Sequence, residues 1–217
     1  CNSVELGWVV QASVLSYKLN DAKLNILIEP ILKESHNLLT GLFNQKSKLF
    51  HRNNHGGRLC IDKQVACFAD QVYPILALST YGDLMGDDKS KAYAGAATDS
   101  ICHHQGSLGQ WMWHYDVGGG KVCEEYPIFS VHQHSMAPMC ILASDKVNKT
   151  DHANQLELGM KWLFGENELK ENLVCHEDGI IWRDIERREI DKMSRTLRGL
   201  CCVAGLDKLH ACMKSVP

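Results

Sequence analysis

The 217-residue chain is short of proline, with five residues, and short of net charge: 23 Lys and Arg stand against 26 Asp and Glu, leaving −3. So small an imbalance gives no electrostatic footprint for nucleic acid or for an anionic membrane surface. No apolar run approaches the roughly 20 residues that a membrane-spanning helix needs. The opening CNSVELGWVVQASVLSYKLN has no basic region and its apolar part is interrupted by Glu5, which is not the pattern of a secretory signal. Also missing are C-x-x-C and H-E-x-x-H spacings. His103-His104 and His132-x-His134 are therefore read as hydrogen-bonding or structural histidines, and neither a metal nor another cofactor is expected. The run Gly118-Gly119-Gly120 lacks the spacing and following helix of a phosphate loop.

The ten cysteines form no framework. Cys60, Cys67, Cys102, Cys140, Cys201 and Cys202 mostly lie among apolar neighbours, where a thiol behaves as a small hydrophobe. They are read as reduced thiols of a cytoplasmic protein.

What is present is mostly helical pattern. Helices are expected over about Val4 to Leu19 and Asp21 to Leu39, the second containing Pro30. Gly41 to Gly57 reads as a long polar surface loop. Val65, Phe68, Ala69, Val72, Ile75 and Leu76 follow the i, i+3, i+4, i+7 rule of an amphipathic helix, with Asp70, Tyr73 and Ala77 on its other side. Further helices are expected at Lys89 to His104, His134 to Ser144 and Asp151 to Phe164. The last carries Ile190, Met193, Leu197, Leu200, Cys201 and Ala204 on one face. Gly179 to Trp182 reads as a short strand.

Residues 106–131 break this period. Trp111, Trp113 and Tyr115 alternate with Gln110, Met112 and His114, and the glycines at 118–120 supply a turn. Residues 110–115 and 122–131 are thus expected to pair as a β-hairpin. The same segment gathers rings, imidazoles and carboxylates. Sugars stack their C–H faces on aromatic rings while carboxylates, imidazoles and amides hydrogen-bond the hydroxyls, so this is the default ligand site. Candidate catalytic groups are Asp70 and Asp116 as carboxylates, with His114 and His132 as proton carriers. Candidate substrate contacts are Trp113, Tyr115 and Tyr126 as stacking platforms, with Gln133, His134 and Tyr73 as polar partners. Trp111 is read as core.

Two resemblances follow from these residues. Gln105-x-x-x-Gly109-x-Trp111 is similar to the structural Q-x-x-x-G-x-W repeat of squalene–hopene and related terpene cyclases, although no D-x-D-D acid motif accompanies it. Over residues 63–164, a helix, the "Q…G.W" strand, a returning strand ending in Ser130-Val-His-Gln-His-Ser135 and a helix opening at Met136-Ala resemble the six-hairpin glycosidase superfamily. That superfamily includes unsaturated glucuronyl and rhamnogalacturonyl hydrolases, and the segment resembles uncharacterised bacterial members of this toroid type. The resemblance implies a mainly α protein of antiparallel helical hairpins in an (α/α) toroid, with a saccharide cleft.

The expectation is a single domain, residues 1–217, forming a toroid or partial toroid with one inserted β-hairpin. It would act on a saccharide as a glycoside hydrolase or lyase. A non-catalytic helical-repeat binding module is the alternative, and a terpene cyclase-like protein a distant third. A six-hairpin ring needs about twelve helices and seven are counted. Apolar helix faces should therefore remain exposed, to be covered by a second copy or by the rest of a longer chain.

Overall fold

The computed structural model describes residues 1–54, 64–125, 127–186 and 192–206, with the side chains of 192–195 excepted. It is mainly helical, with seven α-helices among the described residues. Helix α1 (Ser3–Tyr17) starts at Asn2, whose side chain accepts from the Glu5 N–H while the Glu5 carboxylate accepts from the Asn2 N–H. Two of the helix's orphan donors are satisfied by this exchange. Asp21 caps α2 (Ala22–Thr40) by accepting from the Lys23 and Leu24 N–H groups.

Helix α3 (Ala69–Met85) is the centre of the molecule, packed by α1, α4 (Asp88–His103) and α5 (Ala137–Asn148). Covered from several sides, it buries Val72, Ile75, Ala77 and Leu78 together with Asp70, Gln71 and Ser79. The expected division into a buried stripe and a polar stripe is thus corrected: Asp70 and Ala77 are buried as well. A helix surrounded by neighbours has no solvent face for a period to mark. Its buried polar groups are paired, Gln71 with both the Phe50 N–H and carbonyl, Ser79 with the Ile75 carbonyl.

A three-stranded antiparallel sheet lies beside this core, in the order β1 (Val65–Cys67), β2 (His114–Asp116), β3 (Lys121–Glu124). Three expectations are corrected here. Val65–Cys67 is a strand rather than the first turn of α3, because its backbone pairs with β2. The hairpin is shorter than expected, since β4 (Ile128–Phe129) leaves it and pairs with β7 (Asp184–Ile185). The helix expected at His134 begins as a π-helical turn, His132–Met136, ahead of α5. The expected strand near residue 180 is present as β6 (Ile180–Ile181), paired with β5 (Val174–Cys175).

The polar loop after α2 is anchored rather than loose: Leu42, Phe43, Leu49 and Phe50 are buried, and Phe43 bridges Phe50. Helix α6 (Ala153–Leu163) packs against the π-turn, and α7 (Lys192–Val203) against β2 and β3. Among the described side chains of α7, Arg198, Gly199, Cys201 and Cys202 are buried, whereas Leu197 and Leu200 are exposed, contrary to the periodic reading. The eight described cysteines are free thiols. No described helix is long and apolar enough to cross a membrane.

The Gln105–Gly109–Trp111 motif has a visible structural purpose. The Gln105 amide donates to the Gly109 and Gln155 carbonyls. Gly109 has φ +91°, and a Cβ there would run into the Leu158 backbone. Trp111 is fully buried beneath Gly159, where an added Cβ would lie 2.7 Å from its Nε1. The motif clamps the approach to β2 onto α6.

Candidate functional site

The sheet carries the titratable cluster. His114 Nδ1 lies 2.9 Å from Glu124 Oε2, and Arg198 donates to Glu124 Oε1 at 3.3 Å. Glu124 and Arg198 are almost wholly buried, while the His114 side chain is 26% exposed. An ionised carboxylate can only accept, so Nδ1 carries the proton in the neutral imidazole and Nε2 presents its lone pair on the opposite edge. Register explains the pair: His114 faces Glu124 across the strands, and the ladder slips at the next step so that Tyr115 faces Val122. The extra residue, Cys123, is a β-bulge, which re-aims side chains locally.

Aromatic rings surround this pair. Trp113, half-buried, stacks on His114 at 4.4 Å between centroids and meets Phe129 edge-on at 5.0 Å. Strict alternation would have set Trp113 and His114 on opposite faces. Trp113 precedes the paired strand, so the alternation does not reach it and the two rings lie together. Phe129 also meets His132 edge-on at 5.2 Å, and His132 contacts Phe68 at 4.8 Å. His132 is buried, with no partner at Nδ1. Burial pushes it down to about 4, His114 acts in the same direction, and a hydrogen bond with the Trp111 backbone opposes them. It is therefore a neutral imidazole at ordinary pH.

The remaining candidates divide. Asp116 is buried over the turn, its carboxylate lying where a Cβ of Gly119 would be. Gly120 supplies the positive φ, +66°. Tyr115 is fully buried with an unpartnered hydroxyl, and burial raises that hydroxyl above its ordinary range, so it is core rather than an exposed platform. Gln133 is also fully buried. In the amide orientation that satisfies both ends it donates to the Gly109 carbonyl at 2.9 Å and accepts from the Trp111 N–H at 3.1 Å. His134 is half-buried in the π-turn. Tyr126 lies outside the described residues.

Two candidates lie where α1 meets α3, and Asp70 also reaches Cys67 of β1, the residue opposite His114. Asp70 accepts from the Ser3 hydroxyl at 2.6 Å and from the Cys67 N–H at 2.8 Å. Tyr73 packs edge-on against Trp8 of α1 at 5.5 Å. Asp70 and Tyr73, expected on the other side of their helix from the apolar stripe, are covered there by α1. The cluster instead gains Glu124 and Arg198. Regular register would have set Cys123 opposite His114, so the bulge hid Glu124 from the sequence, and Arg198, 74 residues further on, had no signal either. Among the described residues no group of three His, Cys, Asp or Glu side chains could hold a metal ion.

Compared with known proteins, the chain matches no family model, no curated protein and no solved structure.

Proposed function

We propose that this chain is a carbohydrate-active protein of the (α/α) toroid or partial-toroid type that seats a saccharide against Trp113, with His114 and Glu124 as its proton-carrying pair. The supporting observation is the 2.9 Å His114–Glu124 contact beneath a half-exposed indole. An indole face offers stacking to sugar C–H groups, and an imidazole with a fixed tautomer accepts a hydroxyl proton at Nε2. Arg198 holds the carboxylate from behind. The reaction class is a hydrolase or a lyase acting at a glycosidic bond.

Thermal-shift measurement with uronic-acid and neutral oligosaccharides tests this reading, since a ligand that binds only the native state raises the melting temperature. The expected result is a shift with one saccharide class that disappears in Trp113→Ala and in His114→Ala. A panel with no shift, or one unaltered by both substitutions, overturns it.

A specific observation favours a second reading, a non-catalytic helical binding module. Asp70 and Asp116 are both buried, and Asp70 is engaged by Ser3 and Cys67, while α1 and α2 expose large apolar side chains. Protein binding that survives His114→Ala and Trp113→Ala, without any saccharide shift, would select this reading.

A further inference from the structure

The exposed apolar residues of the first helical hairpin follow a pattern. On α2, Leu27, Ile31 and Leu38 are exposed and Glu34 falls between them, so that steps of four, three and four residues run along one side. That is the spacing of a coiled-coil seam. Ile26 is 72% and Leu27 69% exposed, more than a lone surface aliphatic accounts for when its neighbours are apolar too. Beside them an open concavity is lined by Pro30, Lys33, Glu34, Asn37 and Leu38.

Charge identifies the occupant. Lys23 stands at the amino-terminal end of this seam and Glu34 towards its carboxy-terminal end, both exposed and neither with an ionic partner among the described residues. Eleven residues of helix separate them by about 16 Å. The stripe Lys23, Leu27, Ile31, Glu34 has a cation at one end, an anion at the other and aliphatic residues between. The exposed Glu29 and Lys33 are turned roughly 120° or more from Leu27 around the helix. The stripe is complementary to its own copy turned antiparallel about a two-fold axis.

We infer that the α2 face is the interface of a homodimer in which α2 pairs antiparallel with α2 of a second copy, Lys23 of each opposite Glu34 of the other. In that register Leu27 of the second copy enters the concavity beside Pro30 and Glu34, and Ile26 meets Ile31. Such an isologous contact makes every pair twice, so both charge pairs close together. The inference rests on the α1–α2 hairpin alone and is independent of the saccharide site.

Sedimentation velocity of the whole chain across micromolar concentrations tests it, with circular dichroism confirming the helical fold of each variant. The expected wild-type result is a monomer–dimer equilibrium. K23E and E34K should each weaken dimerisation about tenfold or more, because two attractive pairs become two repulsive ones. The double variant K23E/E34K should regain wild-type dimerisation, and the two single variants mixed should form a heterodimer. L27D should be monomeric. A wild-type chain that stays monomeric overturns the inference, as would happen if another part of a longer polypeptide or a different protein covers this face. A dimer indifferent to both charge reversals overturns it equally.

Discussion

Ser3 Oγ donates to Asp70 Oδ1 at 2.6 Å, joining the first turn of α1 to the first turn of α3. The other Asp70 oxygen accepts from the Cys67 N–H, so one buried carboxylate organises α1, β1 and α3 at a single point. Burial and this carboxylate together push the Cys67 thiol up to about 12.

Asp70→Ala should therefore act on stability. Two hydrogen bonds to a charged acceptor are lost, and Ser3 and Cys67 keep buried donors without partners, which costs about 2–4 kcal/mol. Ser3→Ala should cost about 1 kcal/mol. Urea denaturation of the two single variants and the double variant measures their coupling. Additive losses would show that the contact contributes nothing.

The buried ion pair Arg198–Glu124 gives a second expectation. Arg198→Met removes the guanidinium held against the buried Glu124 carboxylate and should destabilise by about 3 kcal/mol, in the range seen when one partner of a buried pair is removed. Arg198→Met/Glu124→Gln should cost less than Arg198→Met alone. Guanidinium denaturation at one pH decides between this and a simple sum of losses.

Acid should destabilise the protein through His132. Its folded value is about 4 against an ordinary 6.5, so above pH 6.5 both states are neutral and the contribution is complete. Between pH 6.5 and 4 the unfolded chain takes up a proton that the native state refuses, and stability falls by on the order of 3 kcal/mol. His36 and His104 are also lowered, chiefly by burial, and add loss of the same sign. The difference between wild type and His132→Gln isolates the one residue. Unfolding curves from pH 7 to 4.5 should be flatter for the variant, and parallel curves would contradict the assignment.

Gly159→Ala tests the clamp around the Gln105 motif. An added Cβ would lie 2.7 Å from Trp111 Nε1, with Trp111 fully buried and unable to retreat. Overpacking of this kind costs about 1–3 kcal/mol. A drop in melting temperature at Gly159 with no change in the near-ultraviolet signal of the tryptophans would contradict the contact.

Local sequence determined the helices, because caps such as Asn2 and Asp21 and amphipathic periods act within a few residues. It also determined the turn at 118–120, where Gly120 adopts the positive φ that L side chains rarely do. Apolar residues were expected to remain exposed, and α1 and α2 expose Trp8, Leu15, Ile26, Leu27, Ile31 and Leu38. Tertiary structure alone decided which candidates meet. Asp70 and Tyr73 have the polarity of pocket residues, yet α1, about 65 residues earlier in sequence, covers them. Glu124 became the partner of His114 through a bulge whose position no hydrophobic pattern encodes. Arg198 reached that pair only because α7 packs on the sheet. Short-range rules set most of the helices; the strands at Val65–Cys67 and Ile128–Phe129, the buried carboxylates and the imidazole that stays wet depend on contacts between distant segments.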